Sequence, residues 1–306
     1  MKNIASFVSP IGASIKSSTT TQSMSSMERL VIELSNPDLR ENALRVLSKF
    51  QRIRLFPELA PLLWNSYGTI AILVQEITSI YPTIQLLNLT QTQSTRVCNV
   101  LALLQCVASH PDTKMSFLNA SMPLYFYPFL QTTSELAQFE HLRLASLGVI
   151  GALVKSQVNT KESIDFLLRS EIIPLCLCNM EIGKELSKTV ATFIIQKIMS
   201  NDDGLIYICG TAERFFAVVQ VFNMVLESVG NQPSHRLMKL LIPCYSLLSQ
   251  HHRACNALKR RLPNMLKTVN TVNCLREDEI TWSWVMKLHE NIGVNQVPLV
   301  PGGGNQ

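Results

Sequence analysis

One unit recurs along this chain at intervals of roughly 40–50 residues, the spacing of armadillo and HEAT repeats. In the first copy, 102–130, a helical apolar stretch meets a polar break at Pro111-Asp112. A short segment then ends in Phe117-Leu118, and Met122-Pro123-Leu124 opens another apolar run. The second copy, 149–180, repeats the order with Phe166-Leu167-Leu168 and Ile173-Pro174-Leu175. The third, 242–266, carries Ala257-Leu258 and Leu262-Pro263. In all three a proline falls six residues after an apolar residue: Phe117, Leu168 and Ala257. A fourth copy, 192–221, has its polar break at Asn201-Asp202-Asp203 and Arg214-Phe215 near the place of the proline. Such prolines suit the start of a helix, where a missing amide hydrogen removes no bond. A unit of this size cannot bury its own apolar face, so neighbours must stack. The expected fold is all-α, an armadillo-type helical repeat solenoid with a groove.

Local signals agree. Asn36-Pro37 followed by Asp38 and Glu41 reads as an N-cap with proline at the first helical position and acids in the first turn. Leu39, Ala43, Leu44 and Leu47 are then expected on one apolar face. Pro57 and Pro61 are expected to flank a short helix, residues 69–81 to form another that ends at Pro82, and 91–109 a long helix stopped by His110-Pro111. Hydrophobic residues make up 47% and charged ones 16%, with only 12 glycines and 14 prolines, a texture that favours helices over a turn-rich sandwich. No run of about 18 apolar residues is present, so no membrane span is expected. The repeat domain is placed at 27–294. Residues 1–26, with 11 Ser or Thr and no acid, read as a disordered leader, and 295–306 as a disordered tail.

Motifs for chemistry are missing. There is no GxSxG elbow, the six histidines form no HExxH or HxH pair, and adjacent His251-His252 point to different sides of a helix. Gly183-Lys184 lacks the upstream glycine of a phosphate loop and reads as a turn before a helix from Glu185. The eight cysteines (98, 106, 176, 178, 209, 244, 255, 274) sit mostly in apolar patterns without paired CxxC units. They are expected to be small buried hydrophobes in a reducing compartment. The expectation is a protein that is not an enzyme and holds no cofactor and no metal.

Charge is unevenly spread. Ser228 to Arg276 contains no Asp or Glu but eight cations, so the window carries +8 in a chain of net +5. Arg236, Lys239, Lys259, Arg260 and Arg261 are the candidate basic surface, a footprint for nucleic acid or for an acidic peptide. The alternative is an ordinary solvated helix face. Tyr245 is the only aromatic residue in the window, which disfavours sequence-specific RNA reading.

Several longer strings resemble a known family. They include Met27-Glu28-Arg29-Leu30, Leu59-Ala60-Pro61-Leu62-Leu63-Trp64, and Ala102 through Pro111. Ser146 through Lys155, Glu171 through Leu177, and Glu185 through Ile194 extend the match. Together they resemble the "required for cell differentiation" family, the armadillo-repeat subunit of the CCR–NOT deadenylase complex. The Ser/Thr-rich leader and the Pro-Gly-Gly-Gly ending have the look of plant members. The resemblance implies a cytoplasmic and nuclear adaptor that docks on the NOT scaffold subunit and recruits RNA-binding regulators of messenger RNA decay through their short peptide motifs. It also allows a homodimer. By resemblance, scaffold docking falls on the helix after Trp64, at Asn65, Tyr67, Ala71 and Thr78. Helical spacing alone equally allows Tyr67 and Ala71 to be core. A peptide groove is implied at Val190, which periodicity alone would also place in the core. Tryptophan pockets are implied at Ala212, Arg214, Arg253 and Ala257, with Ala212 standing where animal members have a tyrosine.

Overall fold

The computed structural model describes residues 26–53, 57–228, 235–267 and 278–293, and every regular element in them is helical. The leader (Ser26 apart), the tail, Cys274 and Arg276 lie outside the described residues. The chain opens with α1 (residues 26–33) and α2 (Pro37–Ile53). Next come α3 (Leu59–Asn65), α4 (Thr69–Thr78), α5 (Tyr81–Gln85) and α6 (Gln91–Ser109). The first clear copy of the unit continues with α7 (Pro111–Asn119), a 3-10 turn (Met122–Tyr125), α8 (Tyr127–Leu130) and α9 (Ala137–Lys155). It recurs as α10 (Thr160–Arg169), α11 (Ile172–Ile182) and α12 (Glu185–Met199). Then follow α13 (Asp202–Cys209), α14 (Ala212–Ser228) and α15 (His235–Gln250). The series ends with α16 (His252–Arg261), α17 (Asn264–Lys267) and α18 (Glu279–Ile292).

The elements form two layers. The long helices α2, α6, α9, α12, α15 and α18 stack in that order, each against the next. Behind them α8, α11, α14 and α16 form a second row. The core lies between the rows. α9 is buried on most of its circumference, with Leu142, Leu147, Ile150 and Leu153 all closed to solvent. A helix apolar on nearly every side is one that others cover.

Boundaries follow local chemistry. Asn36 Oδ1 accepts the Asp38 amide, as expected of an N-cap. α6 carries a full capping box between Thr90 and Gln93 and stops at His110, whose Nδ1 accepts the Asp112 amide and caps α7. His251 caps α16 in the same way, so two of the histidines serve as helix caps. Gly183 closes α11 and Lys184 precedes α12, the turn read from the sequence.

Three expectations need correction. Leu39 is 44% exposed while Ala43, Leu44 and Leu47 are fully buried, so the first turn of α2, where Leu39 sits, is less covered than the turns that follow. Pro61 is the third residue of α3 rather than its boundary, tolerated because first-turn amides have no helical acceptor. The helix expected over 69–81 ends at Thr78, and Pro82 opens α5 instead of stopping α4. Among the described residues no single helix is long and apolar enough to cross a membrane.

Candidate peptide-binding groove

Stacking leaves one face of the long-helix layer open. On α6 the residues Gln91, Thr95, Cys98, Asn99, Ala102 and Gln105 line that face, at the three- and four-residue steps of one helical stripe. The opposite stripe, Val97, Leu101, Leu104 and Ala108, is buried. α9 contributes His141, Leu144, Ala145 and Gly148, and α12 contributes Val190. Together they enclose a groove of about 530 Å3.

Small residues make the groove deep. Nothing projects from Gly148, where a methyl group would touch the Gln105 amide at 3.5 Å, and a methyl at Gly151 would meet Val190 Cγ1 at 3.7 Å. Asn99 Oδ1 accepts the Ser48 hydroxyl at 3.0 Å, which fixes its amide against α2. Gln91 Nε2 lies 3.5 Å from His141 Nδ1, bridging α6 and α9. The lining carries no carboxylate, ammonium or guanidinium group. Its chemistry is therefore amide donors and acceptors over an apolar floor, the complement of a peptide backbone with apolar side chains.

Val190 is half-buried and is a wall of this groove. The groove residues Asn99, Gln105, His141 and Gly148 were not singled out from the sequence. The available signal was a polar stripe on an otherwise apolar helix facing a glycine, which acquires meaning only once α6 and α9 are side by side.

The implied scaffold-docking residues share one outer region. Asn65 ends α3, Tyr67 occupies the turn, and Ala71 and Thr78 lie on α4. Tyr67 is fully exposed and Ala71 is exposed, so the alternative that they fill the core does not hold. Gly68, at φ 74°, makes the sharp turn that sets Tyr67 outward.

The four implied tryptophan-pocket residues are less unified. Arg253 lines a cleft of about 470 Å3 with Cys209, Gly210 and His251. Ala212 is exposed at the start of α14, and Ala257 is half-buried on α16. Arg214 already spends its guanidinium on Tyr207, 3.9 Å above that ring. The basic residues divide as well. Lys239 is paired with Asp278 at 2.7 Å, Arg236 is exposed near the start of α15, and Lys259, Arg260 and Arg261 form the exposed last turn of α16. The expectation of buried cysteines holds only in part: among the described residues Cys176, Cys244 and Cys255 are buried, whereas Cys98, Cys106, Cys178 and Cys209 are half-buried. His289 is buried and bonded to the Leu266 carbonyl. Among the described residues no group of three metal-ligating side chains comes together.

The family profile described as the cell differentiation family, Rcd1-like, matches residues 30–292. The chain belongs to this family. The cell differentiation protein rcd1 of Schizosaccharomyces pombe is 48% identical over 262 residues, covering 86% of this chain and 91% of that one. Protein CAF40 of Saccharomyces cerevisiae is 48% identical over 249 residues, covering 81% of this chain and 66% of that one. A designed armadillo repeat protein solved in complex with the peptide (KR)4 superposes with a TM-score of 0.60 at 14% identity, over 87% of this chain and 99% of its own. Another designed armadillo protein gives 0.61 at 13% identity, with the same coverage. These two likenesses establish the armadillo fold of this Rcd1-like chain.

Proposed function

We propose that this Rcd1-like protein is a non-catalytic adaptor subunit of the CCR–NOT deadenylase complex, present in cytoplasm and nucleus. It docks on the NOT scaffold subunit through Asn65, Tyr67, Ala71 and Thr78, and recruits regulators of messenger RNA decay by holding their peptides in the groove that Val190 walls. The observation that carries the docking reading is Tyr67, an aromatic ring wholly clear of the protein on a turn fixed by Gly68. Exposed aromatics presented on rigid backbone are the usual anchors of protein interfaces. Ala71 on the next helix leaves a low landing beside it. The groove reading is supported by its neutral, amide-rich lining. One designed armadillo relative in fold was solved with a basic peptide. Without acidic groups, the groove here suits a peptide that is read through its backbone and apolar side chains instead.

Co-purification with a NOT scaffold fragment tests the docking. Tyr67→Ala combined with Ala71→Tyr is expected to weaken binding by about 30-fold or more, the effect of losing an aromatic hot spot worth about 2 kcal/mol. Unchanged binding would remove this docking face.

A further inference from the structure

We infer that the cleft between α14 and α16 is a docking site for an acidic peptide segment that inserts one apolar side chain. The proposal stands apart from docking on the NOT scaffold and from the groove of α6, α9 and α12.

α14 presents Phe216, Gln220, Asn223, Met224 and Glu227 on one outward stripe, and Arg261 at the end of α16 closes the opposite wall. The space between is about 310 Å3, the low end of the roughly 300–1,000 Å3 of small-ligand sites. Phe216 and Met224 are 41% and 36% exposed, large apolar side chains that no other part of the described chain covers fully. The back wall is fixed. Asn223 Nδ2 donates to the Arg261 carbonyl at 2.9 Å, and the Tyr245 hydroxyl donates to Asn223 Oδ1 at 2.6 Å. The cleft is therefore already formed, which reduces the ordering cost of filling it.

Charge selects the occupant. Lys259, Arg260 and Arg261 are exposed in the last turn of α16, and among the described residues none is in an ion pair. The Arg261 guanidinium lies 5.7 Å from the centroid of Phe216, so the cation sits at the Phe216 end. Glu227, the one carboxylate of the lining, lies eleven residues beyond Phe216 on α14, about 16 Å of helix rise, and one turn past Asn223, which holds the Arg261 backbone; the three cations of α16 outnumber it. An acidic segment thus places its carboxylates by Arg261 and its apolar side chain over Met224. A nucleic acid suits the site less well. The cations occupy one turn rather than a track, and the nearest exposed ring, Phe216, is faced by the guanidinium.

Fluorescence anisotropy with the full chain tests this. The probe is a labelled peptide with one phenylalanine following four Asp or Glu residues. Its controls replace the phenylalanine by Ala, or the acids by Asn and Gln, and a single-stranded oligonucleotide of equal charge competes. The acidic Phe peptide is expected to bind at least tenfold more tightly than either control, to weaken as salt rises, and to lose that advantage in Arg261→Glu and Met224→Lys. Both substitutions are at exposed positions, and an unchanged thermal melt confirms that the variants fold. Equal binding of the Ala peptide, equal binding by the variants, or an oligonucleotide that binds more tightly than the peptide would each overturn the proposal.

Discussion

The carboxylate of Glu140 on α9 accepts the backbone N–H of Lys184 at 3.0 Å, so one repeat caps the long helix of the next. The same oxygen accepts the Ser187 hydroxyl at 2.7 Å. Lys184 has no side-chain cap of its own, and a negative group at a helix N-terminus is favoured by the aligned peptide dipoles. The other oxygen of Glu140 is held by Arg143, which is fully buried and also donates to the carbonyls of Thr132 and Ser134. Val190 stands one turn beyond Ser187, so the wall of the groove is anchored by charges that never face it.

Glu140→Ala is expected to destabilise the protein by about 3–5 kcal/mol, because it leaves Arg143 buried without its counter-charge. Burial alone would raise the Glu140 carboxyl, but hydrogen bonds from Ser187, Arg143 and the Lys184 amide outweigh it and hold the group below the ordinary 4.5. A depressed carboxyl contributes stability that is complete above its unfolded value and is lost as pH falls through the folded one. The gap in urea midpoint between wild type and Glu140→Gln should therefore be smaller at pH 3.5 than at pH 7. A gap of equal size at both pH values would show that the carboxylate charge is not what stabilises.

Glu76 binds the N-terminal repeats in a related way. It sits on α4, receives two hydrogen bonds from Arg96 of α6 (2.5 and 2.8 Å) and one from Arg40 of α2 (3.0 Å). Glu76→Gln is expected to cost about 1.5–3 kcal/mol, the range for hydrogen bonds to a charged group. Arg96→Gln in that background should cost less than it does in the wild type, since the Glu76 charge is already gone and only the weaker contact to Glu41 and a neutral hydrogen bond remain. Additive losses in urea unfolding would mean that the two residues act separately.

Two glycines should respond in opposite directions to the same added methyl. At Gly204 a Cβ would lie 2.0 Å from the Ile198 carbonyl oxygen, a backbone atom that cannot rotate aside. Gly204→Ala is expected to destabilise at the upper end of the overpacking range of about 1–3 kcal/mol. At Gly148 the nearest atom is the flexible Gln105 side chain at 3.5 Å, and alanine is favoured over glycine within a helix by roughly 0.5–1 kcal/mol. Gly148→Ala should thus raise the melting temperature while raising the groove floor. Melting shifts of the same sign in both variants would contradict the packing described.

The repeat was legible because its punctuation is local. Thr90, Gln93, His110 and Pro111 fix both ends of α6 from adjacent residues, and Pro123, Pro174 and Pro263 mark the same place in three units. Pro243 shows the limit, for it lies inside α15, where the same rule would end a helix. What depends on stacking was not legible. Glu140 and Arg143, three residues apart on one helix, look like a surface pair; residues 132–134 and α12 close over them. Gln91, Asn99 and Gln105 look like an ordinary wet face until α9 lies alongside. Val190 and Tyr67 were singled out through the family resemblance alone, because periodicity did not separate a groove wall or an exposed turn residue from core.

The thiols offer a last check on the layers. Burial pushes Cys106 and Cys209 up to about 11, and it raises Cys176 and Cys244, both closed to solvent, still further. The thiolate is the reactive form, so at pH 8 these groups are almost wholly protonated in the folded protein. Cys176 on α11 and Cys244 on α15 lie in different layers, and an alkylating reagent reaches either only when its layer opens. Pulse alkylation read by mass spectrometry across a urea series should show both cysteines protected through the native baseline. The two should then label together if adjacent repeats unfold as one cooperative unit. Labelling of Cys244 well before Cys176 would mean that the C-terminal repeats open on their own, while prompt labelling of both in native buffer would contradict the packing of the core.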